Sequence, residues 1–156
     1  MSAPPRILFV CSGNLCRSPM AAALAEKMLS TAGISAVVAS AGTLGIYGSP
    51  AAANAIKVLE DVGVDLRRHS SQGISTVLLR AADHVVVMAP VHEQELLARE
   101  PTVAPKIRRL WEYTSPPGKL REIEDPVGLP IEAFAECRET IVECLGMWIE
   151  RLTKLS

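Results

Sequence analysis

The chain has almost no net charge: 16 lysines and arginines stand against 17 acidic residues, leaving −1 near neutral pH. That balance excludes the broad basic footprint used on nucleic acid and the polybasic face used on membranes. Any anionic ligand must be held by a local arrangement of groups. No apolar run approaches the length of a transmembrane helix, and the opening MSAPPRILFVCSGN lacks the long apolar segment of a signal peptide. Cysteine is scarce as well, and four in 156 residues do not make a disulfide scaffold. The expectation is a soluble cytoplasmic protein in which thiols stay reduced and a reactive one can be used, with neither a nucleic acid nor a membrane as partner. Internal repeats, low-complexity tracts and long linkers are missing too. With 49% hydrophobic and 21% charged residues, residues 1–156 read as one globular domain.

What is present is an alternation. RILFV (6–10) reads as a buried strand, followed by the helix SPMAAALAEKMLSTAG with Ser18 as N-cap, Pro19 at the first helical position and Gly33 past the end. AVVAS (36–40) is a second strand, leading through the glycine-rich AGTLGIYGSP to a helix that starts at Pro50 and ends at Gly63. TVLLRAA is a short helix, DHVVVMA a third buried strand, VHEQELLARE a short helix and KIRRLWEY (106–113) a fourth strand. A long terminal helix runs from about Ile131 to Leu152. Strands alternating with helices predict right-handed crossovers and a mostly parallel sheet covered on both faces.

In such sheets ligands bind outside the carboxyl ends of the strands, which directs attention to the turn after RILFV. This turn feeds a helix N-terminus, where free N–H groups and the positive end of the dipole favour an anion. Gly13 lets the backbone turn back, and Asn14 is a residue that tolerates the left-handed conformation, so successive N–H groups can curl into a nest. Cys11 stands at one end of this loop and Arg17, whose planar fork matches two oxygens of a phosphate-like group, at the other. A thiol so placed has its thiolate favoured, and the thiolate is the nucleophile. On spacing alone, a buried structural cysteine followed by a surface arginine fits the same residues. A Walker loop fits poorly, since GNLCRS lacks the second Gly and the Lys-Ser/Thr of that motif.

VCSGNLCRSPMA closely resembles the signature of the low-molecular-weight protein tyrosine phosphatases. SAGT at 40–43, GVDLRRHSSQ at 63–72 and EDPVG at 124–128 follow in that family's usual order. The resemblance covers nearly the whole chain. It implies a flavodoxin-like three-layer α/β sandwich with a four-stranded parallel sheet, Cys11 as nucleophile and Arg17 as phosphate clamp. Ser12, Gly13, Asn14, Leu15, Cys16, Arg17 and Ser18 would then form the phosphate-binding loop. Asn14, Ser18, Ser40 and His69 would be its supporting hydrogen-bond network. It further implies phosphorylated proteins as substrates, inorganic phosphate, sulfate or vanadate as loop ligands, and neither cofactor nor metal.

Transfer to a thiolate needs a proton for the departing oxygen. Asp125 has the general acid position by resemblance, fixed by Pro126 on a loop tip, although an Asp-Pro pair is also ordinary turn chemistry. Cys16, five residues from Cys11, fits two roles: capture of an oxidised Cys11 as a reversible disulfide, or packing beneath the helix. Cys137 and Cys144 fall on an apolar helical stripe with Phe134, Ile141 and Trp148. Their rise of about 10 Å exceeds the roughly 7 Å that a disulfide spans. Arsenate reductases of the same fold carry an extra cysteine pair after the third strand, and MAPVHEQEL has none, which disfavours arsenate reduction. His84 reads as a strand-edge residue and His92 as helix-start surface, with no metal-ligand spacing around either.

Leu15 is expected to line one wall of the entrance; the resemblance places the others at Ile46 or Tyr47 and just after the acid. A phosphotyrosine ring suits apolar and aromatic walls. Val127 stands where the family usually carries Tyr or Phe. HSSQGIS and LWEYT look rather like the protein-arginine phosphatase branch, but that branch usually has Thr where this chain has Leu15. The reading is therefore a phosphotyrosine phosphatase, with an arginine phosphatase as the alternative. A non-catalytic phosphoprotein-binding module is the reading from another class, and the presence of Cys11, Arg17 and Asp125 speaks against it.

Overall fold

The computed structural model describes residues 3–154. Four strands lie in one sheet: β1 (Arg6–Cys11), β2 (Val37–Gly42), β3 (His84–Val87) and β4 (Ile107–Arg109). The order is β2-β1-β3-β4 and every pairing is parallel. The helices are α1 (Arg17–Thr31), α2 (Ala53–Glu60), α3 (Thr76–Ala81), α4 (Pro90–Arg99) and α5 (Ile131–Lys154). Chain order reverses at β1, which sits between β2 and β3. Right-handed crossovers that leave β1 in opposite directions along the sheet place their helices on opposite faces. The result is the covered parallel sheet expected from the alternation, in the flavodoxin-like three-layer arrangement that the family resemblance implies.

The central strands are apolar because both faces are covered: Ile7, Leu8, Phe9 and Val10 of β1 and Val85, Val86 and Val87 of β3 are each no more than 2% exposed. Phe134, Cys137, Ile141, Cys144 and Trp148 of α5 are all buried, so the stripe that holds two cysteines is core. Trp148 meets Phe9 edge-on at 6.2 Å and His84 at 5.6 Å. Among the described residues no helix is long and apolar enough to cross a membrane.

Three boundaries differ from expectation. Pro50 precedes α2, because Ala52 is still extended (φ −56°, ψ 141°) and the helix begins at Ala53. β4 is three residues long, since β3 offers it partners only from Val85 to Val87; the chain then turns through a 3-10 segment at Leu110–Glu112, burying Leu110 and Trp111. Ser18 is not an N-cap. The cap position falls on Cys16, and Ser18 lies within the first turn of α1, its hydroxyl aimed inward.

The strand register delivers the site. Cys11 ends β1 opposite Gly42, the last residue of β2. The next residues leave the sheet at its carboxyl edge, beside the switch point between β1 and β3.

Candidate active site

The loop from Cys11 to Arg17 folds around one buried side chain. Asn14 is fully buried and adopts φ 59°, the left-handed region that Asn reaches more readily than most residues. The backbone N–H of Gln72 donates to Asn14 Oδ1 at 3.0 Å, which fixes the orientation of the amide. Asn14 Nδ2 then donates to Ser18 Oγ and to Ser40 Oγ, both at 2.9 Å. With its oxygen accepting from Asn14, the Ser18 hydroxyl has its own hydrogen left to donate, and Cys11 Sγ lies 2.9 Å away. A chain of hydrogen bonds thus begins at a backbone amide and ends on the sulfur.

His69 closes the loop from outside. Its Nε2–H donates to the Asn14 carbonyl at 2.7 Å, since a carbonyl only accepts. Burial lowers the His69 pKa from its usual value, and the bond to Asn14 partly opposes the shift. Gln72 adds a side-chain bond to the Ser40 carbonyl at 2.9 Å. The structure therefore brings Asn14, Ser18, Ser40 and His69 together, and adds Gln72 to them. The sequence places Gln72 at the end of a motif without saying what it does.

The floor of the loop is close-packed against β2. Thr43 and Leu44 donate their N–H groups to the carbonyls of Cys11 and Ser12 at 3.0 Å. A β-carbon at Gly42 would lie 2.5 Å from the Ser12 carbonyl oxygen and 2.9 Å from the Asn14 nitrogen, so only glycine fits there.

Arg17 is 5% exposed, although it opens a helix. Its Nη1 donates to the Ile123 carbonyl at 3.0 Å and its Nη2 to Asp125 Oδ2 at 3.3 Å. Arg17 and Asp125, the expected clamp and acid, 108 residues apart in sequence, meet here. Asp125 Oδ1 accepts from the N–H of Val127 at 3.1 Å, a local turn that holds the carboxyl on the loop tip.

At the mouth, Leu15 and Ile46 converge over Gly13, where a β-carbon would meet them at 3.6 and 3.8 Å. Tyr47 is 68% exposed and leans its hydroxyl end onto Gly73, and Val127, on the acid side, is 61% exposed. Cys16 is buried with its thiol pushed up to about 12, by burial first and then by Asp125 and Cys11, against the pull of Arg17. Burial likewise raises Cys137 to about 12, its Sγ lying 3.8 Å from the Glu124 carbonyl.

One reading fails. His92 is not surface: it is fully buried in the first turn of α4, with Nε2 2.9 Å from Ser12 Oγ. The helix turns this residue toward the site instead of toward water, and local sequence carries no signal of that choice.

A sequence model described as "Low molecular weight phosphotyrosine protein phosphatase" matches residues 6–156. The chain belongs to this family. It is 35% identical over 149 residues to the probable low molecular weight protein-tyrosine-phosphatase EpsP of Ralstonia nicotianae, covering 96% of this chain and 97% of that one. It is 37% identical over 149 residues to a protein-arginine-phosphatase of Geobacillus stearothermophilus, with the same coverage of each. Among solved structures, Vibrio vulnificus Wzb in complex with benzylphosphonate superposes with a TM-score of 0.85 at 29% identity, over 96% of this chain and 99% of Wzb.

Proposed function

We propose that the protein hydrolyses phosphotyrosine monoesters on proteins through a cysteinyl-phosphate intermediate. The observation that carries this reading is the donor left over on Ser18, 2.9 Å from Cys11 Sγ at the end of a saturated buried chain. Such a donor can hydrogen-bond the sulfur both as attacker and as leaving group. In the first step Cys11 Sγ bonds to phosphorus, the bond to the tyrosine oxygen breaks, and Asp125 supplies the proton that the phenolate takes. Amides of residues 12–18 and Arg17 hold the three phosphoryl oxygens. In the second step Asp125 takes a proton from water, the water oxygen bonds to phosphorus, and the sulfur leaves as the thiolate. Phosphate is released and the enzyme is regenerated.

Leu15, Ile46, Tyr47 and Val127 would face the phenol ring, a setting in keeping with the benzyl ligand of Wzb. The identity to an arginine phosphatase favours phosphoarginine as the second reading. Leu15, apolar where that branch usually carries Thr, weighs for phosphotyrosine. Chemistry built on a reduced thiol suits the cytoplasm, with residues 1–156 acting as one domain and phosphate, sulfate or vanadate as competing loop ligands. No step uses a metal, so EDTA should leave turnover unchanged. The deciding experiment compares phosphotyrosine and phosphoarginine peptides, with Cys11→Ser as control. Faster release from phosphoarginine would overturn the substrate, and phosphate release by Cys11→Ser would overturn the mechanism.

A redox role for Cys16 belongs to the same proposal. Peroxide would oxidise Cys11 to the sulfenic acid; attack by Cys16 forms the S–S bond and releases water. Recovery of activity with a thiol reductant should fail in Cys16→Ser.

A further inference from the structure

His92 is a buried titratable group that bonds to the loop and to which the proposed reaction gives no task. It comes from α4, beyond β3, and crosses the switch point to reach Ser12, the residue after the nucleophile. Burial holds its pKa down at about 4, with Arg17 pushing the same way and Asp125 opposing, so the ring is neutral at working pH. A neutral imidazole carries one donor and one acceptor. Among the described residues its Nδ1 is buried without a partner, and Nε2 has only Ser12 Oγ. An unused buried acceptor is more readily tolerated than an orphaned N–H. The hydrogen therefore sits on Nε2 and is donated to Ser12. A ring that merely filled space would be better replaced by an apolar side chain, since this one leaves a nitrogen unsatisfied to make a single bond.

We propose that His92 is a positioning residue that tethers Ser12 and so fixes the nucleophile end of the anion cradle. This rests on the reading of residues 12–18 as that cradle. Asn14 and His69 hold the middle of the loop, and neither touches Ser12. Ser12 is instead gripped from two sides: its carbonyl by the N–H of Leu44 at 3.0 Å and its hydroxyl by His92 at 2.9 Å. Together these set the peptide planes on both sides of Ser12, whose N–H groups must point at the anion.

The test uses alkylation of Cys11, which needs no turnover. Iodoacetate and iodoacetamide both form an S–C bond with loss of iodide, but only iodoacetate carries a carboxylate for the cradle to hold. The tether predicts that Ser12→Ala and His92→Ala each lower the iodoacetate-to-iodoacetamide rate ratio by about 5- to 10-fold, one hydrogen bond's worth. The phosphate concentration that protects Cys11 should rise by a similar factor. The double variant should be no worse than the more affected single one, as for two ends of one interaction. His92→Gln, whose Nε2 reaches comparably far, should recover most of the ratio. Ser12→Ala keeps every side chain of α4 in place, so it reports even where His92→Ala folds poorly. An unchanged ratio in folded Ser12→Ala, or additive losses in the double variant, would overturn the tether. Wild-type protein that hydrolyses no phosphomonoester, yet shows the expected ratios, would overturn the phosphatase and leave the tether standing.

Discussion

The two sides of the cleft are built in opposite ways. On the nucleophile side, Asn14, Ser18, Ser40, Gln72 and His69 form a closed set of hydrogen bonds, and Asn14 and Ser18 are fully buried. On the acid side, Asp125 has a side chain 38% exposed and depends on a turn of its own backbone and one bond from Arg17. Val127 and Leu129 beside it are 61% and 52% exposed, and a groove of about 690 Å³ is lined by the segment 119–126 and the first turns of α5. One side is over-determined and the other lightly held. The difference suits the tasks proposed for the two sides, because an anion cradle works only if its dipoles are already in place. An acid must instead follow the departing oxygen and later a water.

The comparison breaks most completely at its fixed point. Cys11→Ser should remove turnover altogether while retaining phosphate or vanadate binding, because the cradle is mostly backbone; steady-state assays and vanadate titration check both. Substantial residual turnover would remove the nucleophile from the scheme. Next comes the acid. Asp125→Asn should slow formation of the cysteinyl-phosphate by about 10²- to 10⁴-fold for phosphotyrosine and by much less for p-nitrophenyl phosphate, whose phenolate needs less help. Single-turnover kinetics that slow both substrates equally in that step would exclude Asp125 as proton donor and direct attention to Glu124. Its effect on stability should be small, in keeping with the exposed setting.

The reverse pattern should hold across the cleft. Asn14→Ala removes three side-chain hydrogen bonds and leaves buried partners unmet, at a cost of about 3–5 kcal/mol. Urea denaturation measures it, and a loss as small as that of Asp125→Asn would erase the contrast between the two sides.

How much of this was legible is itself uneven. The strand alternation and the loop from Cys11 to Arg17 lie in local patterns and can be read directly, whereas the supporting residues Asn14, Ser18, Ser40 and His69 follow only from the family resemblance. A serine before a proline fits a cap by local rules, whereas at Ser18 the inward bonds to Cys11 and Asn14 override them. The Arg17–Asp125 pair joins residues 108 apart, and composition says nothing of which carboxylate arrives. His92 is hidden from local sequence for a related reason. A polar residue opening a helix looks solvated until the crossover geometry turns it toward the switch point.

That buried histidine makes a smaller prediction about acid. The folded value for His92 lies near 4, below the unperturbed value of about 6.5 expected when unfolded. Between those limits the unfolded chain binds a proton that the folded chain refuses. Stability therefore falls as pH drops from about 6.5 toward 4, by at most about 3 kcal/mol from this group. His69 and His84, also lowered chiefly by burial, add to the slope. Denaturation curves at several pH values should be flatter for His92→Gln, and an unchanged slope would mean that the ring takes up its proton without penalty.

The smallest effect sharpens the acid side. Val127 is 61% exposed, on the loop tip next to Asp125, where the family usually carries an aromatic residue. A valine would cover little of a phenol ring, so in the proposed cleft this wall would contribute less than the Leu15–Ile46 side. Val127→Tyr would supply an edge or face for the ring, worth about 0.5–1.5 kcal/mol for an aromatic pair. The KM for a phosphotyrosine peptide should then fall by about 2- to 10-fold. Inhibition by inorganic phosphate should not change, because phosphate presents no ring and touches only the cradle. The control matters, since the substitution sits two residues from the acid and one bond from its turn. If phosphate inhibition tightened in step with KM, the gain would come from a reshaped loop and not from a thicker wall. If neither moved, the ring would not be passing between Leu15 and residue 127 at all, and the substrate would enter along Tyr47 alone.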